Sequence, residues 1–185
     1  MADVFIIHGT LGYPGENWFP WLKQEIEKLG HKCHVPQFPT PENQKLDTWL
    51  EVFNKYLLQI NSKTILIGHS CGAIFLLRLL ERINTKVKAV FLVAGPIKPL
   101  NNQFDKYHMS FLDYPIDWKK VKSNAQHFYP IYSENDPYVG PEHGRITAKQ
   151  LNTKLIMFNN AGHFNEKAGY LKFEFLLDLV KKELE

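Results

Sequence analysis

Six short apolar stretches punctuate this chain: "DVFIIHG", "KCHVPQFP", "KTILIGH", "VKAVFLVAG", "AQHFYPIYS" and "TKLIMFNN". They run as continuous blocks and do not alternate apolar with polar. A strand with one wet face alternates; a continuous run has to be covered on both faces. The cover is written between the runs. Trp18 to Leu29 has helical spacing and stops at Gly30, and Asp47 opens a helix to about Ile60. Further helices are expected over Gly72 to Ile83, Pro141 to Leu151 and Asn165 to Leu184. Strands separated by helices need right-handed crossovers, and so a parallel sheet. The expectation is one α/β domain over residues 1–185: a doubly wound parallel sheet of about six strands, helices on both faces, and no large lid domain.

Composition is consistent with this. At 185 residues, with 44% hydrophobic and 22% charged residues, the chain can bury a core without staples. The net charge of +3 comes from dispersed side chains, Lys119, Lys120 and Lys122 being the densest group. No interleaving of basic and aromatic residues points to nucleic acid as a partner. Two cysteines, Cys33 and Cys71, fit a reducing compartment better than a disulfide framework. The N-terminus has no basic region before its short apolar run, and no stretch approaches 18 apolar residues. A cytoplasmic location without membrane association is expected.

Within that frame one stretch stands apart: "LIGHSCGAIF", where the third strand meets the third helix. A serine at a sharp strand-to-helix turn is held in strained backbone geometry with its Oγ above the sheet edge. Side chains two residues to either side would collide with the neighbouring strand or helix, and Gly68 and Gly72 remove them. Ser70 also lies at a helix N-terminus, where free N–H groups favour negative charge, so the amide of Cys71 is a candidate oxyanion donor.

A serine hydroxyl needs a base, and the base an orienting acid. In a fold of this kind they follow in that chain order, acid then His, each just past a later strand. Strand five runs into "SENDPYVG" and strand six into "NNAGHFNE". Asp136 and His163 are the candidates, with Glu134 a substitute acid and Asp105, Asp113 and Asp117 weaker ones. His8, His69 and His163 could also converge on one edge, but no short ligand spacing supports a metal. Nothing here calls for a cofactor.

The second oxyanion donor is expected in "HGTLGYPG", after the first strand. Its His-Gly opening resembles the lipase and esterase pattern; the Thr10 amide is the first candidate and Leu11 the second. Trp18, Phe164 and Leu11 are candidates for lining a substrate pocket, with core packing the competing role for Trp18 and Phe164. Residues 94–118, "AGPIKPLNNQFDKYHMSFLDYPIDW", break the strand–helix rhythm. Long loops in compact domains are usually functional, and this one leaves the sheet edge where α/β folds bind ligands, so a small cap is expected.

"GHSCGA", "SENDPYV" and "AGHFNE", in that order and in so short a chain, resemble the small α/β-hydrolases related to retinoblastoma-binding protein 9 and their bacterial YdeN-like relatives. The resemblance covers nearly the whole chain. It implies a serine nucleophile at Ser70 with Asp136 and His163 as partners, and activity on esters or amides. The Leu-x-Cys-x-Glu motif for a retinoblastoma-type partner is absent, since neither cysteine has the flanking Leu and Glu. The expected function is hydrolysis of a small ester, thioester or amide through a Ser70 acyl-enzyme, the partner being a small acyl substrate. Two alternatives stay open: an acyltransferase using the same intermediate, and an inert binding protein on a hydrolase scaffold.

Overall fold

A computed structural model describes residues Met1–Glu185. Six strands form one sheet in the order β2-β1-β3-β4-β5-β6, every adjacent pair parallel. They are β1 (Asp3–Ile7), β2 (Lys32–His34), β3 (Ile65–His69), β4 (Val87–Val93), β5 (Ala125–Ser133) and β6 (Ile156–Phe158). The central strands β1, β3 and β4 are almost wholly buried, as their unbroken apolar runs require.

Two cores form, one on each face. Helices α1 (Phe19–Lys28) and α7 (Glu174–Leu184) seal one face, where Phe19, Leu22, Ile26, Phe173, Leu176 and Val180 meet Val4, Ile6, Ile65, Ile67 and Phe91. The opposite face is covered by α2 (Leu46–Asn54), α3 (Cys71–Leu80), α4 (Asp105–Leu112), α5 (Trp118–Ser123) and α6 (Pro141–Leu151). All ten residues of α3 are buried, because the helix lies between the sheet and the cap. No helix is long and apolar enough to cross a membrane.

Three segments depart from the sequence expectation. Residues 94–118 are not a bare loop, since they contain α4, and Asp117 starts α5 by accepting the Lys120 amide at 2.9 Å. The second helix ends at Asn54 and resumes only as a 3-10 turn, Leu57–Gln59. The last helix begins nine residues late. The Asn165 side chain caps a single 3-10 turn, Glu166–Ala168, and Gly169 stops it at φ 86°, a left-handed conformation that favours glycine.

The cap is fastened at both ends. The Tyr132 hydroxyl donates to Gly95 O at 2.8 Å, and the Ile97 amide donates to His143 Nδ1 at 3.1 Å. At the far end the fully buried Arg78 donates to the carbonyls of Phe111 (2.7 Å), Tyr114 and Pro115 (3.4 Å). Its guanidinium reaches both Glu81 oxygens at 3.0 Å, and Glu81 in turn accepts the Asp117 amide at 2.7 Å. Arg78→Met strands three carbonyls and a nearly buried carboxylate, so it is expected to cost about 3–5 kcal/mol of unfolding free energy by urea titration. Arg78→Met with Glu81→Leu is expected to recover part of that loss, because no nearly buried carboxylate is left without its guanidinium; the Arg82 that also loses Glu81 is exposed to solvent.

Candidate active site

The strand order reverses between β1 and β3, and at the C-terminal edge there the chain leaves both strands beside each other. Ser70 sits at that point with φ 53° and ψ −120°, a combination side-chain-bearing residues seldom occupy. The two flanking glycines have the steric reason the sequence suggested. A Cβ on Gly72 would lie 2.2 Å from Ile7 O, and one on Gly68 would lie 2.6 Å from the Gly72 carbonyl carbon and oxygen. The loop after β1 comes equally close, for a Cβ on Gly9 would lie 2.9 Å from Ser70 Cβ.

Ser70 opens into a cavity of about 340 Å³ that it shares with Gly9, Thr10, His69, His108 and His163. The Asp136 side chain, 0% exposed, accepts His163 Nδ1–H at Oδ2 (2.7 Å). Its other oxygen accepts the amides of Tyr138 (2.8 Å) and Val139 (3.1 Å). With three N–H donors on one buried carboxylate, the imidazole has a single orientation. No hydrogen bond joins Ser70 Oγ to the ring; the two side chains face the same cavity.

Side chains with no role assigned from sequence, and His69, weighed there only as a metal ligand, hold the loop carrying His163. His69 Nε2–H donates to the His163 carbonyl at 2.8 Å, which leaves His69 Nδ1 bare and buried. Ser133 Oγ accepts the Ala161 amide (2.9 Å) and donates to Asn135 Oδ1 (2.7 Å), which accepts the Gly162 amide (2.8 Å). The loops bearing Asp136 and His163 are thus tied together. "SEN" ahead of the aspartate was the one available signal for this, and it reads equally well as an ordinary turn.

Other candidates fall elsewhere. Glu134 pairs with Arg145 at 2.7 Å, outside the cavity. Asp105 accepts the amides of Leu100 and Asn101 (2.7 Å each), and Asp117 caps α5. His8 does not join His69 and His163: its Nδ1–H donates to Gly9 O (2.8 Å) and its Nε2 accepts the Phe38 amide (3.0 Å). Leu11 does line the cavity, but its amide donates to Thr40 Oγ1 at 2.7 Å and is not free for a substrate. Trp18 and Phe164 are not lining residues. Both are fully buried in the α1–α7 core, where Trp18 Nε1–H donates to the Phe164 carbonyl at 2.9 Å. Their apolar bulk serves packing, and their contact holds the loop beside His163. The Thr10 amide makes no hydrogen bond to the backbone. Cys71 is the first residue of α3, where amides lack an intrahelical partner. Leu100, Phe104 and His108 of the cap roof the cavity, and Tyr138 packs edge-on to His163 at 5.1 Å.

A strained serine turn, a buried His–Asp pair and a cavity at the switch point of a parallel sheet define the class, an α/β-hydrolase. A family model described as serine hydrolase matches residues 4–182, and the chain belongs to that family. Its relatives include YdeN of Bacillus subtilis, 28% identical over 96% of this chain and 94% of that one. The serine hydrolase RBBP9 of Rattus norvegicus is 30% identical over 90% of this chain and 86% of its own. The crystal structure of YdeN superposes with a TM-score of 0.93 at 27% identity, covering 99% and 98% of the two chains. Est1E from Butyrivibrio proteoclasticus, solved with ferulic acid bound, matches at TM-score 0.71 over 98% and 90%; at 15% identity the likeness is one of fold alone.

Two predictions follow from this geometry. Glycine accepts the Ser70 backbone angles with less strain than alanine, so Ser70→Gly is expected to be about 1 kcal/mol more stable than Ser70→Ala in urea unfolding.

The second concerns acid. Burial holds His69 down to about 3 and His108 to about 4, and lowers His8 and His143, all from 6.5. The unfolded chain therefore binds more protons below pH 6.5, and stability is lost as pH falls. Glu16, raised from 4.5 to about 7 by burial, works in the opposite direction over the same range. The net loss from pH 7 to pH 5 is expected on the order of 2 kcal/mol. Urea titrations at both pH values measure it, and Glu16→Gln is expected to enlarge it.

Proposed function

We propose that this enzyme cleaves a small ester, thioester or amide through an acyl-enzyme on Ser70. Ser70 Oγ attacks the carbonyl carbon, and His163 Nε2 takes its proton. Asp136 fixes the ring so that Nε2 faces the nucleophile, and it stabilises the imidazolium that forms. The amides of Cys71 and Thr10 receive the oxyanion. His163 then returns the proton to the leaving group, and water repeats the sequence to release the acid. The observation that carries this reading is the juxtaposition, in one cavity, of a serine in a strained turn and an imidazole held by a three-times bonded carboxylate. Family membership supports the hydrolase class; the residue roles rest on the geometry.

The cavity, about 340 Å³, is near the lower end of the range for small-molecule pockets. Leu100 and Phe104 make part of its lining apolar, and Glu16, Asn17, Asn165, Glu166 and Lys167 make another part polar. A short apolar acyl group with a polar leaving group fits both. The test is labelling by a fluorophosphonate probe together with turnover of p-nitrophenyl esters from acetate to octanoate. Ser70→Ala is expected to lose on the order of 10⁶ in kcat and all labelling while unfolding cooperatively. His163→Ala is expected to lose labelling as well, and turnover is expected to favour the short chains. Labelling that survives in folded Ser70→Ala overturns the assignment.

A further inference from the structure

Gln44 lies in the turn before α2, far from Ser70 in sequence, and is 6% exposed. Its side-chain amide meets the two amino acids whose main-chain N–H groups are assigned above to the oxyanion. Nε2 donates to Thr10 Oγ1 at 2.8 Å and lies 3.4 Å from Cys71 Sγ. Nε2 also donates to the carbonyl of Tyr107 in α4 at 3.1 Å. Oε1 accepts the Thr40 hydroxyl at 2.6 Å, and Thr40 Oγ1 accepts the Leu11 amide at 2.7 Å.

The direction of these bonds is fixed. Tyr107 O can only accept, so the atom facing it must be the NH₂ group. The oxygen is then the atom facing Thr40, whose hydroxyl proton it takes, leaving Thr40 Oγ1 lone pairs for Leu11. Thr10 Oγ1 is held from a second side by His108 Nε2 at 2.9 Å. His108, in α4, is 2% exposed, and its Nδ1 has no partner.

We infer that Gln44 is a positioning residue for the oxyanion hole. It fixes the loop of Thr10 and Leu11 against the start of α3 so that the Thr10 and Cys71 amides converge. Through Tyr107 it makes that convergence depend on α4 being docked, with His108 as the second tie between cap and loop. Three of its four partners carry or adjoin the loop and helix start that form the hole, and the fourth is the cap. A glutamine needed only to fill a buried space would not gather them on one amide. The inference rests on the acyl-enzyme reading above.

Gln44→Met keeps the length of the side chain and removes every one of these bonds. Misplacing a donor costs catalysis in the transition state and not in the ground state, so kcat for a p-nitrophenyl ester is expected to fall roughly 10- to 100-fold. KM is expected to stay within about 2-fold. A boronic acid of matched chain length, a mimic of the tetrahedral state, is expected to lose affinity in proportion to kcat/KM. Fluorophosphonate labelling is expected to reach the same final stoichiometry as wild type, more slowly. Thr10→Val, which removes only Oγ1, provides a second route if Gln44→Met folds poorly. It is expected to show the same split, and the double variant to be no worse than the weaker single one.

Unchanged kcat in both single variants overturns the inference. So does a loss matched by the fraction of protein that fails to label, or a rise in KM alone. Failure of the acyl-enzyme reading looks different: wild type itself then neither labels nor turns over ester.

Discussion

The close approach of α3 to the ends of β1 and β3 is the constraint on which the rest of the site depends. With hydrogen atoms in place of side chains at residues 68 and 72, the helix starts against the carbonyls of Ile7 and His8. The chain passes from strand to helix at that approach through a positive φ at Ser70. The strain is sustained because buried packing surrounds it: α3 is covered along its whole length, and Ser70 N donates to Val93 O at 2.8 Å. The hydroxyl is thereby presented at the sheet edge by backbone alone, with no hydrogen bond to its Oγ.

The other half of the site is built on a different principle. His163 lies in a loop, and loops supply little packing to hold a ring in place. Here the backbone from Ala161 to Glu166 is pinned by side chains of other segments: Ser133, Asn135, His69, Trp18 and Asn17. Each bond satisfies a main-chain group next to the imidazole and restricts where the ring can go. Neutral buried histidines are part of this arrangement. His69 can donate from Nε2 to a carbonyl and leave Nδ1 bare only while it carries no charge, and its surroundings exclude the water a charge would need.

Where sequence and structure agree, the reason is periodicity or strain. The apolar runs located all six strands; β1, β3 and β4 are buried on both faces as such runs require, while the edge strands β2 and β6 are short and partly exposed. The Gly-x-Ser-x-Gly spacing located the strained turn, because a close approach excludes a Cβ at fixed offsets. The differences have equally local causes. Asn165 starts and Gly169 ends a 3-10 turn ahead of α7, in a stretch whose apolar spacing otherwise continues the helix. Trp18 and Phe164 are apolar neighbours of the site in sequence, yet their burial is against α7 and away from the cavity. Gln44 was invisible: a glutamine between Asn43 and Lys45 has the composition of a solvated turn, and only tertiary placement gives it four partners. The same holds for His108, whose role depends on α4 folding back over Thr10.

The fastening of the cap at Gly95 and Ile97 on one side, and at Phe111, Tyr114 and Pro115 on the other, separates two properties that are joined in most binding sites. Leu100 and Phe104, which with His108 roof the cavity, lie in the span between those anchors, and neither residue takes part in them. Side-chain changes at Leu100 and Phe104 therefore reshape the chamber without touching the anchors, whereas the backbone between them is tied to Asp105 at the start of α4. What the chamber admits can thus vary at two side chains, while the ties from Tyr107 to Gln44 and from His108 to the loop below stay in place.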